Sequence, residues 1–143
     1  MTYNQVKVRL DRVQEDESTK QVSEVYLVET AHFGVAERTV QEEIASSASG
    51  DFDIVAISRK NYAEVLRQQG ETAEKWFHCR LNMITLDEKS GREKKSPFDL
   101  LVNADTAMDA HKRVDEHMRG SISDYVVEKV EDTKILEVFE ATE

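Results

Sequence analysis

The histidines and the single cysteine are the residues of this chain best suited to metal binding or nucleophilic catalysis. His111 and His117 are six positions apart in a predicted helix, so their imidazoles point about 240° apart, whereas a helical metal pair needs a spacing of four. Asp115 follows His111 by four residues, but two ligands make a weak site. We therefore predict a solvated helix face here, and we expect neither a metal nor a cofactor.

Cys79 lies among apolar residues in a predicted strand. A lone cysteine excludes an intramolecular disulfide and every cysteine-based zinc cluster. No base or oxyanion motif accompanies it, and the chain has no phosphate-binding glycine loop. We predict that Cys79 is a small buried hydrophobe, and the sequence indicates no catalytic residue.

Two predicted strands carry an aromatic residue followed by basic residues on one face. Alternation of this kind builds stacking platforms for single-stranded nucleic acid. Alternatively, the basic side chains solvate the outer face while the aromatic rings cover the strand ends. The candidate ligand-binding residues are Tyr3, Lys7 and Arg9 in one strand, and Trp76, His78 and Arg80 in the other.

The elements that position these residues occur twice along the chain, as an internal sequence repeat. The repeat predicts a first half at residues 1–70 and a second at 71–143, joined by a linker at 68–72 into one compact domain. In this alignment Cys79 takes the place of Val6. The aligned segments are residues 3–10 with 76–83, 23–28 with 96–101, 36–44 with 110–118, and 51–66 with 124–139.

In the first half, period-two alternation and β-branched residues predict strands, and apolar residues at helical spacing predict helices. Gly34 is the expected cap of the main helix. The predicted elements are strands at 4–13, 20–30 and 52–58, a helix ending at 46–50, and a short helix at 61–69.

The second half repeats this pattern. Gly91 is expected to adopt a positive φ in a turn, and Pro97 argues for a local edge position. Asp105 or Thr106 is expected to cap a helix that Gly120 ends. The predicted strands are 77–86, 96–102 and 125–130, and residues 134–139 fit either a short helix or a closing strand.

These elements predict an α+β fold made of an internally duplicated ββαβ unit. Two copies packed together would form a six-stranded, mainly antiparallel sheet with the helices on one face.

The charge balance limits the classes of partner. The chain has 29 acidic and 19 basic residues, a net charge of −10. Such a charge repels phosphate, so any nucleic-acid binding is expected to be weak. The sequence shows no leader and no long apolar run, and we expect a cytoplasmic protein without a membrane anchor.

Several short blocks resemble an uncharacterised family of short proteins from Bacteroidetes and their phages, which carries a domain-of-unknown-function label. The resemblance implies, by analogy, an accessory role on host or phage machinery. This chain departs from the family pattern at residues 32–34, where the family has a Ser or Thr helix cap. The blocks are residues 76–80, 84–95, 25–28, 59–64, 114–116 and 124–127.

The sequence favours a non-catalytic binding or adaptor protein. We expect protein–protein interaction, including self-association through an exposed strand edge or an uncovered sheet face. A weak single-stranded nucleic-acid or nucleotide binder, an acidic nucleic-acid mimic and an enzyme stay open as alternatives.

Overall fold

The computed structural model describes residues 2–48, 50–67 and 73–141, and the predicted linker at 68–72 lies outside the described residues. The described chain has an α+β fold, as predicted. In chain order its elements are β1 (Thr2–Val13), β2 (Thr19–Glu29), α1 (Phe33–Ala45), β3 (Phe52–Asn61), β4 (Glu64–Leu66), β5 (Lys75–Leu86), β6 (Glu93–Ala104), α2 (Ala107–Met118), β7 (Asp124–Asp132) and β8 (Ile135–Glu140).

The strands form two mixed four-stranded sheets, and the predicted six-stranded sheet is wrong. The orders are β3-β1-β2-β8 and β4-β6-β5-β7. Most neighbours are antiparallel, whereas β8 runs parallel to β2 and β4 runs parallel to β6. Neither described helix is long and apolar enough to cross a membrane.

The chain divides into two compact units that differ from the two sequence halves. The first unit contains residues 1–61 and 134–143, and the second contains residues 62–133. Each sheet therefore receives its short parallel strand, β8 or β4, from the other half of the sequence. The helix expected at 61–69 is wrong because residues 64–66 pair with β6. At 134–139 the closing strand is present.

Each unit buries apolar residues between its sheet and its helix. In the first unit Val6 and Val8 of β1 are fully buried against Val40 of α1. In the second, Leu81 of β5 packs in the same core as Val114 of α2. Alternation in the strands and helical spacing in α1 and α2 place these side chains on the inner faces, as the sequence predicts.

The predicted capping residues are confirmed for the second helix, whereas the predicted cap of the first helix is wrong. The Thr106 hydroxyl accepts a hydrogen bond from the backbone N–H of Asp109 (3.1 Å), and Gly120 has a φ of 92°. In α1 the N-cap is His32, without a side-chain cap bond, and Gly34 lies inside the helix. Gly91 has the expected positive φ of 68°.

Both outer antiparallel strands contain a bulge. On β3, Ile54 pairs with Val8 and Ala56 pairs with Lys7, so Val55 is the extra residue. On β7 the extra residue is Glu128, at the corresponding position of the sequence repeat. A bulge shifts by one residue which side chains face each side of the sheet.

Candidate functional site

Three predicted ligand-binding residues lie on the face of β1 that points away from α1. The Tyr3 side chain is only 2% exposed, whereas Lys7 and Arg9 are exposed. The structure therefore presents the two cations of this stripe but not its aromatic ring.

Trp76 on β5 is also buried, with 4% exposure. The Arg67 guanidinium lies over the indole, 5.7 Å from the ring centroid. The Trp76 carbonyl accepts hydrogen bonds from the backbone N–H and the hydroxyl of Thr133, at 3.1 and 2.8 Å. Neither this ring nor that of Tyr3 is placed to stack on a nucleobase.

His78 and Arg80 share one carboxylate on the neighbouring strand. Asp99 Oδ1 lies 2.7 Å from Nε2 of His78 and accepts a hydrogen bond from Nε of Arg80 at 3.0 Å. Burial would raise the pKa of Asp99, but the bonds from His78 and Arg80 outweigh it and hold the pKa below its usual value. Asp99 offsets the charge of Arg80, and ligand binding by this stripe stays a prediction.

The other histidines make separate pairs with carboxylates. Nε2 of His111 lies 3.9 Å from Oδ2 of Asp115, both exposed, and Nε2 of His117 lies 2.6 Å from Oε2 of Glu64. The described residues contain no group of three or more metal-binding side chains. These pairs are local polar contacts on and around α2.

Cys79 is fully buried, and this prediction is confirmed. Burial raises the pKa of its thiol to about 11. The side chain is therefore protonated near neutral pH and packs as a small apolar group.

The second unit presents a different candidate site along β7. This strand ends the order β4-β6-β5-β7, so no other described strand pairs with its outer edge. Val126 on this strand is 51% exposed. A free edge offers unpaired backbone N–H and C=O groups that a further strand can bind.

An open groove of about 450 Å³ lies beside this edge, between β7 and the start of α2. Met108, the second residue of α2, is 71% exposed above it. Val127 and Val130 supply apolar surface from the strand side. The remaining lining residues are Ala107, His111, Glu128 and Lys129.

The equivalent place in the first unit carries a large aromatic residue. The first residue of α1 is Phe33, and the Arg59 guanidinium of β3 lies 5.3 Å from its ring centroid. Arg59 also donates a hydrogen bond to the Ala31 carbonyl at 3.0 Å. In the second unit, Ala107 stands where Phe33 stands and Asp132 takes the place of Arg59. The smaller residue leaves the groove open.

The free edge of β7 is acidic. The strand carries four carboxylates and one ammonium group. That ammonium, Nζ of Lys129, lies 2.5 Å from Oε2 of Glu131 and is largely offset. Electrostatic complementarity therefore favours a basic segment along this edge. The acidic residues are Asp124, Glu128, Glu131 and Asp132.

The sequence reasoning identified a free strand edge in general terms but missed the groove. The available signal was the difference between the two helix starts, where Phe33 aligns with Ala107. That difference points to a cavity only when the helix start is known to face an outer strand.

Comparison with known proteins gives a family but no activity. The sequence model of one protein family, described as a domain of unknown function (DUF4494), matches residues 2–141. Comparisons with curated proteins and with solved structures found no match. The predicted resemblance to an uncharacterised domain family is confirmed by a match that spans nearly the whole chain. The chain therefore belongs to the DUF4494 family of domains of unknown function.

Proposed function

We propose that the protein is a non-catalytic binding module that accepts an extended segment of a partner protein as an added strand at the edge of β7. The observation that carries this proposal is the open groove between β7 and α2, next to an unpaired edge. Strand addition draws affinity from main-chain hydrogen bonds and specificity from pockets that receive alternate side chains.

The groove determines what kind of segment fits. Val127, Val130 and Met108 supply apolar contacts for one inserted side chain. The acidic strand attracts lysine or arginine on either side of that apolar residue. The preferred partner segment is extended, with an apolar anchor flanked by basic residues.

The family resemblance supports the setting of this function. Similarity to short proteins of Bacteroidetes and their phages supports, by analogy, an accessory role on host or phage machinery in the cytoplasm.

A displayed library of random peptides, selected on the full chain, tests the proposal. We expect enrichment of sequences with one large apolar residue next to lysine or arginine. Labelled copies of the enriched peptides then give affinities by fluorescence anisotropy, and amide chemical shifts should move on β7 and α2.

A substitution that fills the groove provides the decisive test. Ala107→Phe installs the large residue that stands at the equivalent place in the first unit, and we expect affinity to fall about tenfold, or roughly 1.4 kcal/mol. Leu86→Ala is the matched control, since Leu86 is 67% exposed but lies at the end of β5, outside the groove lining. Equal binding by wild type and Ala107→Phe, or no enrichment at all, would contradict the proposal.

A further inference from the structure

The outer edge of β3 in the first unit differs from that of β7. β3 ends the order β3-β1-β2-β8, and within the described ranges no strand pairs with its outer side. Its centre, residues 54–58, carries no charge, and Val55 is 40% exposed. A long edge with an uncharged centre favours pairing with another strand.

The bulge at Val55 brings the two outer charges of this strand to one face. Asp53 and Lys60 are seven residues apart, and a regular strand would place their side chains on opposite faces. In the structure Asp53 lies opposite Arg9 of β1 and Lys60 lies opposite Tyr3. Tyr3 and Arg9 share one face of β1. Asp53 and Lys60 therefore share the face that points away from α1.

This arrangement makes the edge complementary to itself. A second copy of β3 can pair antiparallel with the first through a two-fold axis perpendicular to the sheet. When Val55 is counted as the bulge, one such register has Ile57 of one copy opposite Ile57 of the other. In that register Asp53 of each copy lies opposite Lys60 of the other. The third charged residue, Arg59, already contacts Phe33 and Ala31 of its own unit.

We propose that the protein forms a homodimer in which the β3 edges of two copies pair antiparallel and join their first sheets into one continuous sheet. The contact is isologous, so each Asp53–Lys60 attraction occurs twice. Opposite charges directly across a strand pair stabilise the pairing. This contact is independent of the groove beside β7.

The β7 edge is less suited to pairing with itself. Val130 of β7 aligns with Ile57, and with Glu128 counted as the bulge the equivalent register has Lys129 opposite Glu131. These two side chains already lie 2.5 Å apart within one chain, and two copies of this acidic strand repel one another. Other registers have Lys129 opposite Lys129 or Asp124 opposite Glu131, and like charges directly opposite one another destabilise a strand pair. The second copy is therefore assigned to the β3 edge.

The mass of the full chain in solution tests the dimer. Light scattering after size exclusion should show the average mass rising from 16.4 kDa towards twice that value as concentration approaches about 100 μM, a range suited to a small interface. Lys60→Glu and Asp53→Lys should each give a monomer, because each creates two like-charge pairs across the interface.

An equal mixture of these two variants provides the rescue. In the mixed dimer, Asp53 of one chain meets Lys60 of the other, and the introduced glutamate meets the introduced lysine, so the mass should double again. Lys95→Glu, the same charge change at an exposed position on β6, should leave the dimer intact. Circular dichroism of each variant checks that it is folded.

Several outcomes would overturn the proposal. They are a monomeric wild type at about 1 mM, a Lys60→Glu variant that still dimerises, and a mixture of folded variants that stays monomeric. Species larger than a dimer that persist in Lys60→Glu would instead indicate head-to-tail contact between β3 and β7, and they too would overturn it.

Discussion

Nε2 of His117 in the last turn of α2 lies 2.6 Å from Oε2 of Glu64, the first residue of β4. Arg113, one turn earlier in α2, donates hydrogen bonds to the carbonyls of Leu66 and Arg67 at 3.3 and 3.0 Å. The three-residue strand β4 is thus held by side chains of α2 as well as by its pairing with β6.

We expect Arg113→Ala to loosen β4 without unfolding the second unit. The loss of hydrogen bonds to two carbonyls should destabilise this segment by on the order of 1–3 kcal/mol. Hydrogen exchange should accelerate at residues 64–67 and stay unchanged in β5. Arg119→Ala, an exposed arginine after the same helix, is the control. Equal exchange in Arg113→Ala and wild type would show that strand pairing alone holds β4.

The Glu24 carboxylate predicts a pH-dependent part of the stability. Hydrogen bonds from Arg12 (2.8 and 3.1 Å) and then Tyr26 (2.7 Å) lower the pKa of Glu24 despite its partial burial. A lowered pKa in the folded state stabilises the fold above the ordinary value of 4.5. This stability is lost as the pH falls through the lower, folded-state pKa.

Glu24→Gln should therefore destabilise the protein by on the order of 1 kcal/mol at neutral pH, and the difference should shrink below about pH 4. Urea unfolding at both pH values measures it. A difference that stays constant with pH would show that the charge of Glu24 does not contribute.

Cys79 should be inert towards thiol reagents in the folded state. It is fully buried, and its pKa of about 11 leaves little thiolate near neutral pH. We expect no labelling by a chromogenic disulfide reagent until the chain is unfolded. Cys79→Val should change stability by less than about 1.5 kcal/mol, because valine occupies the aligned position in β1. Rapid labelling of the folded chain would contradict this burial.

Weak nucleic-acid binding would have to use exposed cations instead of stacked rings. Lys7 and Arg9 are exposed, whereas Trp76 is buried. We expect labelled single strands at low salt to bind weakly, and Lys7→Ala with Arg9→Ala to remove that binding in an anisotropy assay. Trp76 fluorescence should stay constant in the same titration. Quenching of Trp76 by single strands would show that its ring is reached.

The long strands and the two main helices could be predicted from the sequence, because alternation and helical spacing are patterns of residues close together in the chain. Val6, Val8 and Leu10 are buried as their period of two predicts. β4 was missed because Tyr62, Val65 and Leu66 also fit one turn of a helix. The strand forms because this segment pairs with β6 and accepts hydrogen bonds from Arg113, and both partners are distant in sequence.

The candidate sites depended on features that no local pattern carries. The groove follows from Ala107 facing β7, and the self-complementary edge follows from the extra residue Val55. Neither position is unusual when read along the sequence alone. The duplication itself stays a prediction, supported by the matched strand orders and the matched bulges.

Each sheet takes one short strand, β4 or β8, from the other half of the sequence, and this affects the order in which the chain folds during synthesis. The second unit is a continuous stretch of sequence, so all its strands have been made once β7 emerges from the ribosome. The first unit begins earlier but lacks β8, which buries Ile135 and Val138 and stacks Phe139 on Tyr26. The unit that starts second is therefore the first whose sheet can be completed.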